Sequence, residues 1–223
     1  AVQAEWYTSI VAIPQTTLLD ETKSFAVCYA ESSGGTGDRT WRDSYIRVRI
    51  SKLQSVTSHG ISHVTNGQIA REGAPVEYMM GAQIRNVTKK LALTNAGSLS
   101  ANKHVSLVDQ SRNGMFPCDS GAEAAAGADS SHSGRVTANA SVLTLSTVGL
   151  STSITFAVCY TEGNGTSSAS WADSGIRLTI SKVTRIKYGT RSSSFPVRTM
   201  TSTNVAAATN RLPQVANAAV VTY

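Results

Sequence analysis

Residues 24–52 read SFAVCYAESSGGTGDRTWRDSYIRVRISK, and residues 155–182 read TFAVCYTEGNGTSSASWADSGIRLTISK. Laying Phe25 on Phe156 brings Ala26, Val27, Cys28, Tyr29 and Glu31 onto Ala157, Val158, Cys159, Tyr160 and Glu162. After one inserted residue, Trp41, Asp43, Ser44, Ile46, Arg47, Ile50, Ser51 and Lys52 fall on Trp171, Asp173, Ser174, Ile176, Arg177, Ile180, Ser181 and Lys182. Identity at this density points to an internal duplication. In YIRVRI, Ile46, Val48 and Ile50 take one side and Tyr45, Arg47 and Arg49 the other; in GIRLTI, Ile176, Leu178 and Ile180 keep the apolar side. A period of two with one apolar side marks a half-buried strand. FAVCY has no polar side, as expected of a strand in the middle of a sandwich. The intervening ESSGGTGD and EGNGTSS are rich in Gly, Asn and Ser, which tolerate positive φ and close hairpins.

Upstream, SIVAIPQTTLLD (residues 9–20) and SVLTLSTVGLS (residues 141–151) also align, and each reads as strand, turn, strand. Helical periodicity is nearly absent; the one helix-friendly patch is GAEAAAGAD, residues 121–129. Short strands with frequent turns predict an all-β fold of two tandem immunoglobulin-like antiparallel β-sandwich domains related by internal duplication. The pairs Cys28 with Trp41 and Cys159 with Trp171 resemble the cysteine and tryptophan on successive strands of immunoglobulin-like sandwiches. That resemblance covers the pair alone, because the family's second cysteine with its preceding tyrosine is missing, so it implies the architecture and not membership. The expected repeat core is Cys28, Trp41, Ile46, Val48 and Ile50 in the first copy and Trp171, Ile176, Leu178 and Ile180 in the second. The expected domains are an incomplete N-terminal sandwich over residues 1–56 with a linker to about 88, a second sandwich over 89–190, and a C-terminal tail over 191–223.

The chain has 223 residues, of which 41% are hydrophobic and 15% charged, the balance of a folded extracellular domain. A formal charge of +6 raises nucleic acid as a partner. The basic residues are scattered, however, and Arg47, Arg49 and Arg177 lie on strand-like runs, so solvated strand faces explain them better and nucleic acid is not expected. No stretch approaches the ~18 apolar residues of a membrane span. The opening AVQAEWYTSI lacks the charged head and apolar body of a signal peptide and reads as a mature N-terminus. Asn86, Asn139 and Asn164 stand in N-x-Ser/Thr triplets, and Asn164 falls in an expected hairpin turn where a glycan would sit in solvent. Secretion is the expected localisation.

Leads toward chemistry are poor. The Gly-rich loop after Tyr29 has no Lys-Ser/Thr pair and no helix behind it, so it is not a phosphate cradle. CDSGAE, residues 118–123, lacks the flanking glycines of a trypsin-like nucleophile motif, and no His/Asp pair sits in a matching context for Ser120. His59 and His63 stand four apart with Gly60 between them and no third ligand, while His104 and His132 stand alone. Glu31 with Asp43, repeated as Glu162 with Asp173, would suit calcium, but salt bridges or turn caps with Arg47 and Arg177 explain them more simply. No catalytic, cofactor or metal residues are assigned. Cys118 precedes Cys159 by 41 residues in the same module, which suits a disulfide in an oxidising compartment and leaves Cys28 either a buried free thiol or a thiol awaiting a neighbour.

The second copy has a long preamble, residues 103–136, that the first lacks, so the first copy is expected to be short of a strand. TNRLPQVANAAVVTY (209–223) can be laid on TNAGSLSANKHVSLV (94–108) with five matches in fifteen, as though a third copy were beginning. An unpaired edge and a homeless strand each need a partner. Ala219, Val220, Val221, Thr222 and Tyr223 are therefore the expected donor strand for the next molecule, in the manner of pilin subunits. Two other readings stay open: the tail folds back on its own chain, or the chain is a piece of a longer tandem array. The FAVCY, W-x-DS-x-IR and ISK signals resemble modules of tandem-repeat secreted surface proteins of microalgae, and the strand exchange resembles that of pilus and extracellular fibril subunits. The resemblance implies a secreted, glycosylated, non-enzymatic structural role as a homopolymer without cofactors. The competing expectation is a carbohydrate-binding or adhesive module that uses loops carrying Trp6, Trp41 or Trp171, with glycans as partners.

Overall fold

The computed structural model describes residues 19–72, 75–80, 83–88, 90–188, 198–201 and 221–222. The chain divides into two compact units, Ala1–Lys52 and Leu53–Tyr223. In the first unit, β1 (Ser24–Tyr29) and β2 (Arg42–Arg49) form an antiparallel hairpin that pairs Phe25 with Val48 and Ala26 with Arg47. The register then slips at a bulge, after which Cys28 opposes Asp43.

The second unit is also built of strands: β3 (Leu53–Ser58), β4 (Ile61–His63), β5 (Asn66–Ile69), β6 (Pro75–Met80), β7 (Gln83–Thr88), β8 (Leu91–Gly97), β9 (His104–Asp109), β10 (Val136–Thr137), β11 (Val142–Leu145), β12 (Thr155–Thr161), β13 (Ala172–Ile180), β14 (Arg185–Tyr188), β15 (Arg198–Thr201) and β16 (Val221–Thr222). A five-stranded sheet runs β10-β9-β12-β13-β5 and a four-stranded sheet runs β11-β8-β3-β4. Strands β6 and β7 form a separate hairpin, and β14 lies between β15 and β16. The fold of the described residues is all-β, with only one-turn helical segments at Arg112–Met115, Pro117–Asp119 and Gly121–Ala124.

The alternation of apolar residues explains the core. Leu53 and Val56 of β3, Leu91 and Leu93 of β8, and Leu143 of β11 meet Leu107, Phe156, Val158, Ile176 and Leu178 of the five-stranded sheet in one buried cluster. The opposite side of β12 carries Ala157 and Cys159, which pack with Val108, Cys118, Ala124 and Trp171 beneath the helical turns of residues 112–125. The FAVCY of β12 therefore has both of its faces covered, which suits a strand without a polar side. Gly121 permits the covering segment to approach closely, since a Cβ there would collide with the Ser167 carbonyl.

The stretch expected as a linker, from residue 57 to about 88, contains β4 and β5, and β3, expected in the first sandwich, begins the second unit at Leu53. The β3, β4 and β8 strands make most of the sheet that faces the FAVCY hairpin, and β5 adds a parallel strand to the other sheet by pairing with β13. The physical reason is that Phe156, Val158, Ile176 and Leu178 need an opposing apolar surface, which LQSVTS and LALTNAG supply. Thr147 fastens the end of β5 to the β11–β12 connection: its hydroxyl donates to Ala70 O at 2.7 Å, its N–H donates to Glu72 O at 2.7 Å, and Glu72 N–H donates to its Oγ1 at 2.7 Å.

Candidate interface: the open face of the first hairpin

The two repeated hairpins share one geometry. In the second, Phe156 pairs with Leu178 and Ala157 with Arg177, a bulge follows, and Cys159 opposes Asp173, position for position as in the first. Arg47 donates to both carboxylate oxygens of Asp43 at 2.8 and 2.7 Å, and Arg177 holds Asp173 at the same distances. This bidentate contact holds the Asp43 carboxyl below its usual range, with help from the Tyr45 N–H. Trp41 Nε1 donates to Gly35 O at 3.1 Å, and Trp171 Nε1 donates to Thr166 O at 3.0 Å, so each indole closes its own hairpin loop. The recurring aspartates, Asp43 and Asp173, are thus salt-bridge partners and turn caps.

Their surroundings differ. Phe156, Val158, Ile176 and Leu178 are buried in the intersheet core, whereas Val27, Ile46 and Val48 are exposed and Phe25 is half-buried. Ile46 is 57% accessible against 0% for Ile176, and Tyr29 is 49% against 7% for Tyr160. The expectation that Cys28, Trp41, Ile46, Val48 and Ile50 form a core is corrected: all are exposed except Ile50, which is half-buried. An apolar strand side needs an opposing sheet, and among the described residues of the first unit β1 and β2 are the only strands. Trp171, Ile176, Leu178 and Ile180 are buried.

The loop that joins β1 to β2 is preorganised without that core. The Asp38 carboxylate accepts Thr40 Oγ1–H at 2.6 Å, Thr40 N–H at 2.8 Å and Gly34 N–H at 2.7 Å. These donors, led by the Thr40 hydroxyl, lower its pKa to about 2. Tyr45 sits at φ 64 where the second copy has Gly175 at φ 81, and its ring is 86% exposed. Alternation alone reads Tyr45 as an ordinary outward strand residue; the one available signal for the turned backbone is the glycine at the repeated position.

Cys118 and Cys159 form a disulfide, and Cys28 is an exposed free thiol, not a buried one. In the covering loop, His132 is buried between two acids, with Nε2 2.9 Å from Glu123 Oε2 and Nδ1 2.9 Å from Asp129 Oδ1. The Asp129 carboxyl lies below its usual range, chiefly through the Ser131 N–H. This arrangement ties the covering loop to itself. Both His132 ring nitrogens thus face carboxylates, and the Ser120 Oγ accepts Glu123 N–H as a helix cap. His59 pairs with Glu72 at 3.1 Å, and His63 is buried against Gly67. Among the described residues no group of three or more His, Cys, Asp or Glu would hold a metal ion.

Asn164 is exposed in its hairpin turn, where its side-chain oxygen accepts the Thr166 hydroxyl at 2.7 Å, and Asn139 is exposed before the turn into β11. Asn86 lies on β7, and its side chain is outside the described residues. Ala219, Val220 and Tyr223 also fall outside the described residues. Val221 and Thr222 do not form a free donor strand: as β16 they pair with Tyr188 and Lys187 of β14. β14 offers the backbone donors and acceptors that this short strand needs. Among the described residues no helix is long and apolar enough to cross a membrane. No protein family, curated protein or solved structure matches this chain.

Proposed function

We propose that this chain is a non-catalytic structural subunit of an extracellular filament or surface layer, built from duplicated immunoglobulin-like sandwich modules and assembled head to tail by β-strand complementation. The observation that carries this reading is the first hairpin, which repeats the register and side chains of β12–β13 yet leaves its core side in solvent. Covering the remaining exposed area of Val27, Tyr29, Ile46 and Val48 yields about 1 kcal/mol apiece. That falls at the bottom of the ~4 to 15 kcal/mol cost of association. Main-chain ladder bonds at about 1 kcal/mol each must therefore contribute, and strand addition supplies them. A head-to-tail contact that does not close on itself builds a filament. The Cys118–Cys159 disulfide and the exposed Asn139 and Asn164 triplets favour an oxidising, extracellular setting with attached glycans. Electron microscopy and sedimentation of the full chain test the reading: polymers that lengthen with concentration are expected, and a chain that stays monomeric at every concentration overturns it.

The exposed Trp41 and Tyr45 favour a second reading, a carbohydrate-binding or adhesive module. A glycan array separates the two, because a scaffold shows no selective binding whereas an adhesive module does.

A further inference from the structure

The second unit itself displays what covers a hairpin of this type. Ser51-Lys52 leads from the first hairpin into β3, and Ser181-Lys182 leads from the second toward β14, so Leu53 and Val56 of β3 correspond to Val183 and Ile186. Leu53 and Val56 are 1% and 0% accessible and share a core with Phe156, Val158, Ile176 and Leu178. Val183 and Ile186 are 52% and 37% accessible. The chain thus carries one hairpin of the β12–β13 kind with its apolar side open and one segment that matches β3 in sequence, Val183 just ahead of β14 and Ile186 within it, with both apolar positions open.

We infer that the segment around β14 of one copy, residues 183–188, covers the β1–β2 hairpin of a second copy, with Val183 and Ile186 set against Phe25, Val27, Ile46 and Val48 in a composite domain that repeats the core of the second unit. This rests on the assembly reading and names its contact. Within the second unit the β3-type strand comes first and the hairpin follows it. Pairing between copies keeps that order from one molecule to the next, whereas closure within one molecule reverses it. The composite domain covers one side of the hairpin only. Cys159 is covered by the segment that bears Cys118, and residues 183–223 contain no cysteine. Cys28 therefore stays open to solvent in the assembly.

Two full-length variants test the pairing, Ile46→Asp and Ile186→Asp, each at a position exposed in its own chain. Unchanged near-ultraviolet circular dichroism and an unchanged thermal midpoint establish that the disulfide-bonded unit is intact. By sedimentation velocity, each variant alone is expected to lose all species above monomer at concentrations where the native chain polymerises. An equimolar mixture is expected to form a 1:1 heterodimer that grows no further, because I46D keeps an open C-terminal segment and I186D keeps an open hairpin. Maleimide is expected to label Cys28 in the heterodimer at the monomer's rate. A mixture that stays monomeric, single variants that polymerise like the native chain, or a Cys28 that becomes protected overturns this pairing while leaving the filament reading standing. A native chain that never assembles overturns the filament reading, and a native monomer whose hairpin amides are strongly protected identifies closure within one molecule; either result overturns the pairing as well.

Discussion

Tyr45 and Gly175 hold the same left-handed backbone in two hairpins, and they do not hold it equally well. A Cβ in that region crowds the following carbonyl at a cost of about 1 to 2 kcal/mol, which glycine avoids. No atom lies within 4 Å of a Cβ built at Gly175, so Gly175→Tyr carries the backbone penalty alone. It is expected to destabilise the second unit by about 1 kcal/mol, read as a lowered denaturant midpoint at constant m-value. The reverse change, Tyr45→Gly, is expected to slow amide exchange in the first hairpin. Asp38 provides a second local test. Its carboxyl titrates at about 2 in place of its ordinary 3.8, so the loop gains stability above the unfolded value and loses it as the pH falls through about 2. The Thr40 amide and the Asp38 side-chain carbonyl should therefore keep their native NMR shifts at pH 3 and change together near pH 2; a change centred near 3.8 would show that the Thr40 and Gly34 contacts are absent in solution.

Among the elements, β12 and the loop that covers it depend most on one covalent bond. The disulfide joins residues 41 apart, and closing a loop of that length in the unfolded chain is worth about 4 kcal/mol. Cys118→Ser is expected to lower the unfolding free energy by about 3 to 4 kcal/mol in a guanidinium titration, and reductant should have no further effect on that variant. The pairing of β1 with β2 and of β12 with β13 was legible, because the repeated sequences carry both the alternation and the turn residues. The role of residues 53–69 was not. LQSVTS alternates only over a short stretch, and nothing local distinguishes a strand that completes the following module from a linker. Its function follows from the apolar side of β12–β13, which lies about 100 residues later in the chain.

For the molecule as a whole, identical registers with unlike burial predict unlike dynamics. Hydrogen exchange should find the β12–β13 amides protected to the global unfolding free energy of the second unit. The β1–β2 amides should exchange orders of magnitude faster in the monomer and become protected once the chain assembles. A hairpin protected equally in both states would mean that its open side is not an assembly surface. Two isolated strands are marginally stable in water, so the hairpin gains more from a covering sheet than the completed unit does.

What the sequence determined by itself is what depends on near neighbours: the strand character of the repeats, their loops, the Asp43–Arg47 and Asp173–Arg177 pairs, and the all-β class. Each follows from side-chain alternation or from groups a few residues apart. Tertiary structure alone decided which copy of the repeat is buried. Ile46 and Ile176 both stand in a Ser-x-Ile-Arg stretch of alternating strand, yet one faces solvent and the other a core, because burial depends on a second sheet whose strands lie far away in the chain.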